Sequence, residues 1–267
     1  MLSPSAHPMS TPFDDVIVQI RAKGFHNHRL EDHSDAVSSG ILRDLRARCE
    51  SLRIDLENGR VWDWLNVRAP GARQRKIDLL VSDPNEEGEP DLERVRMCVE
   101  NKSVVTAHRN RDARFDDLNE ALQVLHRVSP EAVLIATVLV GVAQRVLNVP
   151  DRVKAFAKGD EGRFENEILP RLSSGDQRLW EEFEFAISEN RPDDPASTIA
   201  RFRQLPTRLP GRTHICGYDY VMLVPVYIDN VNPPYLPRPN HLGVDVDSEY
   251  ESMLTQICKA YTARWHL

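Results

Sequence analysis

Arg75-Lys76-Ile77-Asp78-Leu79-Leu80-Val81 and Val95-Arg96-Met97-Cys98-Val99-Glu100-Asn101-Lys102 decide how this chain is read. Both runs are short and aliphatic. Between them lies Ser82-Asp83-Pro84-Asn85-Glu86-Glu87-Gly88-Glu89-Pro90-Asp91, a polar stretch with two prolines and a glycine. This pattern predicts two strands of a hairpin joined by a long solvated turn. Side chains alternate along a strand, so Glu100 and Lys102 share one face and Asn101 takes the other. Asp78, Glu100 and Lys102 are then charges inside apolar runs, where a charge costs free energy unless it is paired or binds a metal.

The residue types suit a hard cation. Magnesium takes oxygen ligands, keeps several waters and is usually held by one or two carboxylates plus a substrate phosphate. Asp78 and Glu100 supply the carboxylates, and the backbone carbonyl of Asn101 lies beside them. Lys102 is placed to orient or deprotonate an attacking water, or to offset charge that builds in a transition state. The competing reading of the same three residues is a cross-strand salt-bridge cluster on a solvated sheet face.

Asp78 followed by Glu100-Asn101-Lys102 resembles the core of the PD-(D/E)XK nuclease superfamily, which includes most type II restriction endonucleases. Ile77 stands where the family name has proline. The resemblance implies a magnesium-dependent endonuclease, with manganese as a substitute, that hydrolyses phosphodiester bonds in double-stranded DNA. Asp78, Glu100 and Lys102 would be catalytic, and Asp78, Glu100 and the Asn101 carbonyl would hold the metal. It further implies a sequence-specific restriction enzyme of a restriction-modification, phage-defence system, acting as a homodimer because two strands are cut. The same core also serves structure-specific repair nucleases and ligand-activated defence nucleases. A catalytically degenerate DNA-binding module is the alternative outside enzymes.

The flanking segments agree with that core. His33 to Cys49 carries Val37, Ile41, Leu42, Leu45 and Cys49 at helical spacing, with Ser34 as an N-cap. Family members often carry an acid near the start of this helix, which makes Asp35 a further metal ligand, with Glu31 in reserve. Its competing role is a helix N-terminal charge that favours the dipole. Downstream, a helix over Arg111–Arg127 opens with Arg109, Arg111 and Arg114. These three, with Arg73 and Arg75 before the first strand and Arg208 and Arg212 in the Pro- and Gly-bearing segment 201–212, are the expected DNA contacts. The 201–212 segment reads equally as a solvated connector.

The remaining pattern bounds the class. A net charge of −7 argues against a nonspecific nucleic-acid coat, while the clustered arginines allow a basic cleft on an acidic body. With 41% hydrophobic residues the 267-residue chain has enough for a real core. The expected fold is α/β, a restriction-endonuclease-like core with a central mixed sheet flanked by helices, plus a C-terminal helical and strand extension. Residues 1–12 read as a flexible tail without signal-peptide features, and 13–267 as a single nuclease domain. Its core covers about 30–142 and its extension about 150–267. Predicted elements are a helix over Phe13–Lys23, the helix from His33, a strand over Val61–Val67 after the Asn58-Gly59 turn, the two charged strands, the Arg111 helix and a buried strand over Ala132–Val142. Beyond these lie helices at Phe164–Leu172, Gln177–Asn190 and Thr198–Phe202, an edge strand over Tyr218–Ile228 marked by Pro225, and a last helix over Ser248–Trp265. No run approaches the ~18 apolar residues of a membrane span, so no membrane association is expected. The four cysteines lack motif spacing and read as free thiols of a cytoplasmic protein. His26-Asn27-His28 is a polar loop and not an HNH nuclease motif.

Overall fold

Val133–Gly141 is buried at every position, and a strand buried on both faces requires helices above and below it. The computed structural model supplies them. It describes residues 10–23, 31–68, 76–105, 108–150, 163–174, 176, 181 and 185–266. In chain order these form α1 (Pro12–Lys23), α2 (Glu31–Arg48), α3 (Glu50–Glu57), β1 (Trp62–Arg68), β2 (Lys76–Pro84) and β3 (Pro90–Val104). There follow α4 (Arg111–Val128), β4 (Val133–Gly141), β5 (Arg145–Asn148), β6 (Ala186–Glu189), α5 (Asp194–Phe202), β7 (Tyr220–Val226) and α6 (Val246–Trp265). Short helical turns occupy Phe164–Ile168 and Leu169–Ser173.

Five strands make one mixed sheet in the order β1-β2-β3-β4-β7. β1, β2 and β3 pair antiparallel, whereas β3, β4 and β7 run parallel. The α/β class and helix-flanked mixed sheet therefore match the expectation, and β7 lies at an edge as Pro225 suggested. β5 and β6 form a separate two-stranded ladder. One sheet face packs on α2 and α6, the other on α4 and α5.

Two local devices shape the sheet near the charged strands. Leu80 pairs with Cys98 and Val81 with Met97, yet Ser82 pairs with Val95, so Arg96 is the extra residue of a bulge. The bulge sends Arg96 to Asp55 of α3 at 2.9 Å, to Asp83 at 2.7 Å and under the Trp265 ring. The turn from β2 to β3 is closed by Asn85, whose side chain accepts the N–H groups of Glu87 and Glu89, while Gly88 takes φ 78°.

Two expectations change. Ala186–Glu189, placed by sequence inside a helix over Gln177–Asn190, is strand β6, because a partner forty residues away, Arg145–Asn148, supplies its ladder. Helix α3 was not expected. Its Leu52, Ile54 and Leu56 alternate like a strand, and extended Cys49 separates it from α2.

Candidate active site

β2 stays paired with β1 as far as Lys76, but its ladder with β3 stops at Leu79 and Val99. The two strands part there, at Asp78. In place of a backbone partner, the Asn101 N–H donates to Asp78 Oδ2 at 2.6 Å. A residue's N–H and C=O point to the same edge of a strand, so the Asn101 carbonyl faces the same gap. Asp78, Glu100 and Lys102 fall on one sheet face by register and alternation. Glu100 is 1% exposed, and Lys102 Nζ donates to its Oε2 at 3.0 Å.

The electrostatics are dominated by acid. Burial works to lower the Lys102 pKa, but Glu100, Asp78 and, from α4, Asp117 outweigh it and hold the ammonium above its usual value. Burial pushes the Cys98 thiol well up, and the same Glu100 and Asp78 add to the shift. On the rim, Arg114 donates to Asp117 at 3.1 Å.

Asn101 is the residue that sequence reasoning undervalued. Its side chain reaches the opposite face, where Nδ2 donates to Ser38 Oγ at 2.8 Å, to Ser34 Oγ at 2.9 Å and to the Ser34 carbonyl, and Oδ1 accepts from Thr137 at 2.6 Å. It ties β3 to α2 and β4 while its backbone grips Asp78. Asn is unfavourable inside a strand, and its coincidence with serines four apart on one helix was the available signal.

The other expected residues divide. Asp35 lies on α2, which packs against the Asn101 face, and its Oδ1 accepts from Asn66 at 2.9 Å. Among the described residues no three His, Cys, Asp or Glu side chains converge as a metal cage. Asp35 is therefore not brought in as a further ligand, and the site reduces to two carboxylates and a carbonyl. That oxygen-only set fits magnesium, which leaves most of its shell to water and substrate. Arg109 is exposed beside α4. Arg111 is partly spent on Ser197 at 2.8 Å. Arg73, Arg75 and the side chain of Glu31 lie outside the described residues.

Arg208 corrects the expectation of a DNA contact. It is 3% exposed and binds Asp219 Oδ2 at 3.1 Å, the Pro130 carbonyl at 2.8 Å and the Ala132 carbonyl. Arg264 completes the cluster on Asp219, and the Leu134 N–H donates to the same carboxylate. A guanidinium so enclosed has no surface for a phosphate. Arg212 is exposed, but Arg264 pins its loop through the Pro210 carbonyl at the N-terminal ends of β4 and β7, away from Asp78 and Glu100. The four cysteines are free thiols; Cys49 and Cys98 are buried, Cys216 and Cys258 only partly.

Comparison of the chain with protein-family models, with curated proteins and with solved structures found no match. What defines the molecule is an α/β fold with a helix-flanked mixed sheet that parts where two carboxylates and a lysine share a face. No helix among the described residues is long and apolar enough to cross a membrane.

Proposed function

We propose that this chain is a magnesium-dependent DNA endonuclease. The observation that carries the reading is the parting of β2 from β3 at Asp78, with Glu100 and Lys102 on the same face and the Asn101 N–H fixing Asp78. Bound there, magnesium would activate water and stabilise charge on the leaving oxygen. Asp78 and Glu100 would hold it. The chain's own contribution is positional: Asn101 fixes the Asp78 carboxylate, and Glu100 fixes the Lys102 ammonium within reach of the attacked phosphate. Arg109 and Arg114, at the start of α4 on the same side, supply cations for the DNA backbone.

Cleavage of duplex, branched and single-stranded DNA in magnesium tests this. Wild type should cut, and Lys102→Ala should not, while both bind DNA in calcium. Equal inertness of the two proteins on every substrate would remove the enzyme reading. A discrete set of plasmid fragments would favour restriction; preference for branched DNA would favour repair.

A further inference from the structure

β7 pairs with β4 along one edge, and the register fixes which of its residues face the other. The Val226 carbonyl accepts from the Val142 N–H, so Val226, Val224 and Met222 turn their peptide groups to β4. By alternation Val221, Leu223 and Pro225 turn theirs to the outer edge, where proline has no N–H to leave unpaired. Both ends of that outer lane are filled. At one, the Tyr218 N–H donates to the Pro206 carbonyl at 2.8 Å and its carbonyl accepts from the Arg208 N–H at 2.9 Å. At the other, Tyr227 and Tyr235 exchange two bonds at 2.9 and 3.1 Å. Among the described residues no backbone hydrogen bond fills the lane between them.

The space between is a groove. A hollow of about 380 Å³ lies against Val221 and Leu223, and past Leu209 and Gln256 it adjoins a second of about 470 Å³. Phe202, Leu205 and Leu209 give one wall its apolar surface, and Leu209 is 62% exposed. The other wall is a face of α6, held to the strand by Gln256 Nε2, which donates to the Asp219 carbonyl at 2.6 Å. Exposed Arg203 lines the first hollow and exposed Lys259 the second. The acids of the groove are neutralised, Asp219 by Arg208 and Arg264, Glu251 by Arg48. A basic residue therefore stands in each hollow.

The geometry points to a peptide-binding groove in which an extended segment of another protein, apolar at alternate positions and acidic at its ends, adds as a strand beside β7. The outward N–H and C=O groups of Val221 and Leu223 supply its ladder. Phe202, Leu205 and Leu209 take its alternate side chains, and Arg203 and Lys259 meet its acids. At ~3.3 Å per residue the open lane has room for about six residues. This surface stands apart from the carboxylate site and does not rest on the nuclease reading.

Fluorescence anisotropy on the full chain tests it, with a labelled eight-residue probe of alternating valine and threonine between terminal glutamates. Wild type should bind this probe at least ~10-fold more tightly than a lysine-ended probe or one N-methylated along the backbone. Leu209→Glu should abolish binding, and Arg203→Glu with Lys259→Glu should reverse the preference to the lysine-ended probe. All three side chains are exposed, and circular dichroism verifies that the variants fold. In the free chain, the Val221 and Leu223 amides should exchange with solvent before those of Met222 and Val224, and the glutamate-ended probe should slow them. Failure of that probe to bind, equal binding of the three probes, or Val221 and Leu223 amides already protected in the free chain overturns the proposal.

Discussion

Two clusters of charge sit on the same sheet, one at the N-terminal ends of β4 and β7, the other where β3 leaves β2. In the first, Asp219 is enclosed by Arg208 and Arg264, and backbone carbonyls take the remaining guanidinium donors. In the second, Asp78, Glu100 and Asp117 act together on one lysine, Lys102, which donates to Glu100. Both clusters bury acids and bases against the sheet, the first from a loop, the residue before β7 and α6, the second from β2 and β3 themselves. The first lies where β4 and β7 begin, with cation and anion matched by hydrogen bonds; the second lies beside a gap between strands, where Asp78 accepts a backbone N–H and Glu100 the Lys102 ammonium. Burying charge is a structural solution only when the partners are complete.

The contrast breaks most readily at Arg208. Arg208→Ala should destabilise the fold by ~3–5 kcal/mol in denaturant unfolding, since Asp219 loses part of its enclosure. DNA affinity of the folded fraction should not change. Asn101→Ala should cost less, ~1–3 kcal/mol, because it leaves Ser34, Ser38 and Thr137 short of partners. Cleavage should nonetheless fall with it, as the strand that presents Glu100 loses its tie to α2.

A smaller effect sharpens the comparison through pH. His108 Nε2 donates to the Gly141 carbonyl at 2.9 Å, and Nδ1 lies 2.7 Å from the Thr198 hydroxyl. Burial lowers its pKa below the unfolded value. The unfolded chain therefore binds the extra proton first, and stability should decline as pH falls below ~6.5. His108→Gln should flatten that decline in melts taken between neutral and mildly acidic pH. The least effect separates the two basic regions. Arg109→Ala should reduce the salt slope of DNA binding by ~1, and Arg212→Ala should leave it unchanged.

Much of the fold was legible because its strands and helices carry their own pattern. β4 announces burial on both faces by an unbroken aliphatic run, and Pro225 marks β7 as an edge. That Glu100 and Lys102 share a face followed from period-two alternation, whereas the place of Asp78 beside them depends on the register of β2 with β3. What was not legible depended on distant partners. Arg208 looks like a surface arginine until Asp219 and Arg264 enclose it. β6 looks helical until β5 pairs with it. Asp35 points to Asn66 because that residue, at φ 56°, brings its amide within reach. The bulge at Arg96 likewise exists only in the pairing of β2 with β3.

The most direct measurement takes Glu100→Gln and follows two quantities on the same preparation, cleavage rate in magnesium and thermal midpoint. If the acidic cluster is a metal-dependent active site, cleavage falls by at least ~100-fold while the midpoint stays near that of wild type. If Glu100 instead belongs to a structural ion pair like the one around Asp219, the midpoint drops and no magnesium-dependent cleavage is lost. That second result would contradict the proposed function.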